Sequence, residues 1–139
     1  MIKAVINELD FNIGLVSGMF ANKEILTKKD SPTIPYIKFR LQNMEDALST
    51  YLIDDEDTMS KLPKLHLLFQ SSNELIQQAQ SLETPDKFAA SLMKKLLSNF
   101  TKEDIRIIKG IKNKLEEHNK KLRLEEGRLS VGDKFRDKR

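Results

Sequence analysis

The chain has 139 residues, which is the length of a single domain, and a net charge of +3. It contains no cysteine, and this excludes disulfides and cysteine-ligated zinc sites. With only 5 glycines and 4 prolines, and with 32% of the residues charged, the composition favours helices over a fold that needs many strand turns.

The first predicted helix covers residues 3–27. Its apolar residues fall mostly three and four positions apart, as on one face of a helix. They are Val5, Ile6, Leu9, Ile13, Val16, Met19 and Phe20. Gly14 and Gly18 each cost up to about 1 kcal/mol inside a helix, so two strands joined by a turn at residues 10–12 stay open as an alternative.

A loop is predicted over residues 28–35 and a second helix over residues 35–53, with Pro35 in its first turn. The apolar face of this helix is made of Tyr36, Ile37, Phe39 or Arg40, Leu41, Met44, Leu48, Tyr51 and Leu52. Four consecutive acidic residues, 54–57, come next. They lack the alternating ligands and the glycine of a calcium loop, so we interpret them as a solvated loop before the next helix.

Two further helices are predicted over residues 60–82 and 85–99. Pro63 belongs in the first turn of the former, where a missing backbone N–H costs least. Thr84 is a good N-cap for the latter, and Pro85 suits its first helical position.

The last helix is predicted to begin at the Thr101 cap, with Asp104 at the third helical position, and to run to about Arg128. About 27 residues of helix span about 40 Å, whereas a bundle of about 100 residues is only about 26 Å across. We therefore predict an all-α fold, a four- to five-helix bundle with a long, basic, partly projecting C-terminal helix (about residues 102–128). The single domain covers residues 1–129, and residues 130–139 form a basic flexible tail.

A stripe along the last helix repeats at spacings of three and four, as in a coiled coil. This seam consists of Ile108, Ile111, Leu115, His118, Leu122 and Leu129. Two outcomes stay open: its first half packs into the core of the domain and the rest is solvated, or the seam pairs with the helix of a partner chain.

Charge is unevenly distributed along the chain. The first 83 residues carry 8 basic and 12 acidic side chains, whereas the remaining residues carry 16 and 9. A basic half can bind the phosphate backbone of nucleic acid through counterion release. The candidate residues are Lys102, Arg106, Lys109, Lys134, Arg136, Lys138 and Arg139. Glutamates interrupt this ridge, and Phe135 is the one aromatic residue nearby.

No catalytic motif, phosphate loop or metal-ligand spacing is found in the sequence. Lys112 and Asn113 followed by His118 resemble the Arg-polar-spacer-His pattern of helical ribonucleases, but a lysine stands in the arginine position. His66 and His118 have no second ligand at helical spacing. We predict neither enzyme activity, nor a metal site, nor a small-molecule cofactor.

The expected function is a non-enzymatic protein-interaction protein, an adaptor, inhibitor or accessory subunit, that binds a protein partner or forms a homodimer through the C-terminal helix. The alternative is a nucleic-acid-binding accessory protein. Glu8 and Asp10 interrupt what would be the apolar part of a signal peptide, and no apolar run reaches the about 18 residues of a membrane span. We therefore expect a cytoplasmic protein that does not enter membranes.

Overall fold

The computed structural model describes residues 1–27, 37–81 and 87–137, and within its helices it leaves out the side chains of residues 25, 26, 87 and 126–137. Its helices are α1 (Ile2–Ala21), α2 (Lys23–Thr27), α3 (Gln42–Ala47), α4 (Glu56–Gln80), α5 (Lys87–Ser98) and α6 (Lys102–Asp137). No strand occurs in the described parts of the chain. The predicted all-α bundle with a long C-terminal helix is confirmed, and the two-strand alternative for the first segment is wrong.

The first predicted helix is divided in two at Asn22. The backbone N–H and the side-chain amide of Asn22 both donate to the carbonyl oxygen of Gly18, at 3.1 and 2.8 Å, and this ends α1. Gly14 lies in the same uninterrupted helix. No atom lies within 4 Å of the position that a Cβ would take at either glycine, so neither serves the close approach of another helix.

The predicted second helix is wrong over most of its length, because only Gln42–Ala47 is helical within the described part of residues 35–53. Residues 37–41, here called the strap, are not helical. The side-chain amide of Asn73 makes two hydrogen bonds to the backbone of Phe39: it accepts from the N–H at 2.8 Å and donates to the carbonyl oxygen at 3.0 Å. Asn12 does the same for Arg40, with both bonds at 2.9 Å. These backbone groups are therefore not free to enter a helix.

A buried carboxylate from α1 holds the start of α3. Glu8 is only 3% exposed, and its two oxygens accept from the backbone N–H groups of Asn43 and Met44 at 3.0 and 2.8 Å. These N–H groups have no partner inside the helix, and a negative charge at this end is favoured by the helix dipole. A side chain from a different helix thus does the work of a local N-cap.

The third predicted helix begins earlier than expected, because α4 starts at Glu56. Asp55 is its N-cap and accepts from the Thr58 N–H at 3.1 Å. The acidic run is therefore divided between a loop and the first turn of α4, and is not wholly a loop. Pro63 lies inside the helix rather than in its first turn. The missing N–H of Pro63 leaves the Met59 carbonyl without its usual helical donor.

The structure describes the residues that cap α6 but not those that precede α5. The predicted cap at residues 84–86 lies outside the described residues, as does the predicted loop at 28–35. The start of α6 is a capping box: Thr101 Oγ1 accepts from the Asp104 N–H at 3.1 Å, and the Asp104 carboxylate accepts from the Thr101 N–H at 3.2 Å. The predicted Thr101 start is confirmed.

Both α1 and α4 pack against the first half of α6. The ion pair between Asp10 and Lys112, together with the groove that Phe20 and Ile105 share, shows that α1 and α6 are antiparallel. A cluster of three phenylalanines, Phe39, Phe69 and Phe100, lies in the core with ring centroids 4.9 to 6.1 Å apart. The strap thus brings Phe39 to the centre of the bundle. No helix in the described ranges has the length and hydropathy needed to cross a membrane.

Candidate interaction surface

The first three residues of the predicted seam lie in the core. Ile108 and Ile111 are 2% exposed and Leu115 is fully buried. They pack in the same apolar cluster as residues of α1 and α4. This part of the seam is therefore already covered by the chain itself and is not open to a second chain.

Beyond Leu115 the helix becomes progressively more exposed: His118 and Asn119 are half-buried, and every described side chain after them is exposed. Here residues 116–125 are called the arm; its last six residues, 120–125, are all exposed. His118 is half-buried, Leu122 is 38% exposed and Leu124 is 56% exposed. Leu122 lies seven residues after Leu115 and continues the core-facing stripe of the helix. The side chain of Leu129, the last seam residue, lies outside the described residues.

The arm carries cations that have no ionic partner among the residues that the structure describes. Within the described part of the chain, no carboxylate oxygen lies within 4.0 Å of the charged groups of Lys120, Lys121 or Arg123. Glu116, which precedes them by one turn, instead contacts Lys112 at 3.5 Å. The arm therefore exposes Leu122 between two cations, Lys121 and Arg123, that the described residues leave unpaired.

The predicted nucleic-acid residues are described only in part. Lys102, Arg106 and Lys109 lie on the exposed outer side of α6, three and four residues apart. Arg106 makes two hydrogen bonds to the carboxylate of Glu103, at 2.7 and 2.6 Å, so a phosphate would have to compete with this carboxylate for the guanidinium. The remaining four, in order, are Lys134, Arg136, Lys138 and Arg139. Their side chains lie outside the described residues.

An acidic groove lies at the end of the body from which the arm projects. Its lining includes the apolar side chains of Leu48, Tyr51, Met59 and Pro63 and the acidic side chain of Glu56. The groove has a volume of about 390 Å³. Tyr51 is 60% exposed and Leu48 is 40% exposed, so two large apolar side chains stand open to solvent.

Negative charge surrounds Tyr51. Desolvation, and then the carboxylates of Asp54, Glu56 and Asp55, raise the pKa of its hydroxyl above the ordinary value of 10.0. A carboxylate beside a phenol disfavours the phenolate. The same field attracts a cation. Neither Asp54 nor Glu56 takes part in an ion pair within the residues described.

The sequence did not reveal the acidic groove, because Leu48 and Tyr51 fit the apolar face of the predicted second helix. The structure ends α3 at Ala47, and the chain turns there, which leaves both side chains outside the core. Leu52, from the same predicted face, is buried. The one signal in the sequence is the run of four acidic residues directly after Tyr51.

The acidic groove and the root of the arm are close together. Asp57 and Thr58, from the first turn of α4, line one shallow depression together with Gly110 and Lys114 of α6. The arm begins two residues after Lys114. The N-terminal end of α4, with the acidic run, therefore lies beside the point where α6 leaves the body.

Three titratable residues singled out in the sequence, Lys112, His66 and His118, lie apart from the acidic groove. Lys112, from the ribonuclease-like pattern, is bound to Asp10, and the hydrogen bond to that carboxylate raises the pKa of Lys112 while burial acts against it. His118 lies on the arm, and the buried Nε2 of His66 has no hydrogen-bond partner. Among the residues described, no group of three histidines or carboxylates could hold a metal ion.

Comparisons with known proteins identify no relative: no protein-family model, no curated protein and no solved structure matches this chain.

Proposed function

We propose that this protein is a non-enzymatic interaction protein that binds a protein partner through the arm of α6. The observation that carries the proposal is the change of environment along one stripe. Leu115 is fully buried, whereas Leu122, seven residues later on the same stripe, is 38% exposed.

The physical argument is that the arm lacks internal support. An isolated helix shorter than about 12–15 residues is marginal in water, and most helices are stabilised by packing of their apolar face. Leu122 and Leu124 have little of the chain to pack against, since residues 120–125 are all exposed. A partner that covers Leu122 would gain about 25 cal/mol for each Å² of apolar surface buried.

Affinity capture from a lysate of the native cell tests the proposal. We expect the double variant Leu122→Glu, Leu124→Glu to lose the proteins that the unaltered chain retains. Leu67→Glu is the matched control, because Leu67 is 61% exposed on α4 and far along the fold from the arm. If the arm variant captures the same proteins as the unaltered chain, the arm is not the binding surface.

The alternative proposal is binding to the phosphate backbone of nucleic acid by Lys102, Lys109 and the C-terminal cations. It predicts an affinity that falls steeply as salt is raised. Lys109→Gln should weaken binding to every sequence equally. A purified chain that shifts neither DNA nor RNA at low salt would remove this alternative. The Glu103 contact of Arg106 makes it the weaker of the two proposals.

A further inference from the structure

We infer that the partner of the arm is a second copy of this chain, and that each arm docks in the acidic groove of the other copy. This inference rests on the proposed function and adds to it the site and the occupant.

Charge complementarity is the first argument. The arm presents Lys121 and Arg123 on either side of Leu122, and these cations have no ionic partner among the described residues. The acidic groove has Glu56 in its lining and Asp54 acting on its Tyr51, and both carboxylates are likewise unpaired among the described residues. Oppositely charged patches steer encounter and fix the register of two surfaces.

Apolar complementarity is the second argument. Successive helix residues are 100° apart, so Lys121 and Arg123 flank Leu122 symmetrically when the helix is viewed along its axis. The acidic groove has exposed apolar side chains at Leu48 and Tyr51, the carboxylate of Glu56 in its lining, and the charge of Asp54 acting on Tyr51. The leucine would enter the apolar lining while the two long cations reach these carboxylates.

A chain cannot make this contact with itself. Residue 122 lies eight residues beyond Lys114, or about 12 Å farther along the same helix. The helix is unbroken between these residues, so it carries Leu122 away from the acidic groove of its own body. The complementary surfaces can therefore meet only between two molecules.

A two-fold axis between the two copies lets both of them make the same contact between arm and groove. The acidic groove and the root of the arm lie at the same end of the body. Two bodies that meet at this end, with their arms antiparallel, place each arm beside the acidic groove of the other. Such an isologous contact closes on itself and does not propagate into a fibre. It also forms two identical contacts, so each has to supply only half of the roughly 1,200–2,000 Å² of a stable interface.

A charge-swap experiment on the full chain tests the inference. The arm variant carries Lys121→Glu and Arg123→Glu, and the groove variant carries Asp54→Lys and Glu56→Lys. We expect the unaltered chain to sediment at about 32 kDa, twice its 16.1 kDa, and each variant alone as a monomer. An equimolar mixture of the two variants should regain the mass of a dimer, because every arm then faces a groove of opposite charge.

The matched control reverses two exposed charges on a different helix, α5, in the variant Lys94→Glu, Lys95→Glu. It should remain a dimer. Raising the salt to about 1 M shortens the screening length to about 3 Å and should weaken the unaltered dimer.

Disulfide trapping provides a second measurement that does not depend on charge. The chain has no cysteine, so the double variant Tyr51→Cys, Leu122→Cys has only the two introduced thiols. We expect mild oxidation to yield a covalent dimer. The variant Ser91→Cys, Leu122→Cys, with one thiol moved to the exposed side of α5, should give none between those two positions.

The inference is overturned if the unaltered chain stays monomeric up to millimolar concentration, or if the mixture of charge variants stays monomeric. Loss of cellular partners in Leu122→Glu, Leu124→Glu together with a monomeric unaltered chain would leave the proposed function standing and remove only the second copy as its partner.

Discussion

Two consecutive parts of α6, the base and the arm, have opposite environments. In the base of α6, here residues 102–115, the stripe residues Ile108 and Leu115 are buried, whereas in the arm Leu122 is 38% exposed. The spacing is the same in both. The difference follows the extent of α1 along α6: Asp10 contacts Lys112, and Ile2, eight residues earlier on an antiparallel helix, lies level with about residue 120 of α6. Periodicity shows which side of a helix is apolar, but the length of its neighbours decides how much of that side is covered.

The largest expected effect on stability is the contrast between two leucine truncations, one in the base of α6 and one in the arm. Leu115→Ala should lower the free energy of unfolding by about 2–5 kcal/mol, because it removes a fully buried side chain and leaves a cavity. Leu122→Ala should change it by no more than about 0.5 kcal/mol, as for an exposed position. Urea denaturation of both variants, followed by circular dichroism at a protein concentration low enough for a monomer, measures the contrast. Equal losses would mean that the arm is packed against its own body.

A smaller effect is expected from Glu8→Gln, which acts on the body alone. The amide has only one oxygen, so one of the N–H groups of Asn43 and Met44 loses its acceptor. An unsatisfied buried donor costs about 1–3 kcal/mol. Hydrogen exchange should show faster exchange in the base of α6, which packs on α1, and unchanged exchange in the arm.

Glu45→Gln is the control for that experiment, since Glu45 is an exposed acid in the first turn of α3. It should leave exchange in the base unaltered. If Glu8→Gln leaves exchange unaltered both in the base and in α3, the buried carboxylate is not what holds α3 in place.

The smallest expected effect is a gain of stability at Gly110. No atom lies within 4 Å of the position of a Cβ there, and the residue is exposed inside a helix. Gly110→Ala should therefore raise the free energy of unfolding by up to about 1 kcal/mol. Asn119→Ala, a change toward higher helix propensity in the arm, should leave the midpoint of the body unaltered. A loss of stability at Gly110→Ala would show that this glycine serves a close contact.

The helices that the sequence predicts well are those with local signals. The α6 start could be read from Thr101 and Asp104, three residues apart, and both form the expected capping box. The stripe of α6 could be read from spacing alone. The seam beyond Leu115 and the basic residues at the C-terminal end stay predictions.

The strap and the acidic groove could not be predicted, because the contacts that create them join distant parts of the chain. Asn12 and Asn73 are 28 and 34 residues away from the backbone they bind, and Glu8 is 36 residues away from Met44. Nothing near residues 37–41 in the sequence shows that their N–H groups are taken by side chains. Once these bonds shorten the helix to Gln42–Ala47, Leu48 and Tyr51 become surface residues.

The bonds of the strap have a consequence for how this protein can vary in evolution. Asn12 and Asn73 hydrogen-bond to the main chain of Arg40 and Phe39, so these bonds do not depend on which side chains stand there. Most replacements at Arg40 therefore keep both bonds, even though its guanidinium lies 3.8 Å from the centre of the Phe11 ring. Proline is the exception, because it has no N–H to donate. In related sequences we expect the two asparagines to be conserved and the exposed residues of the strap to vary.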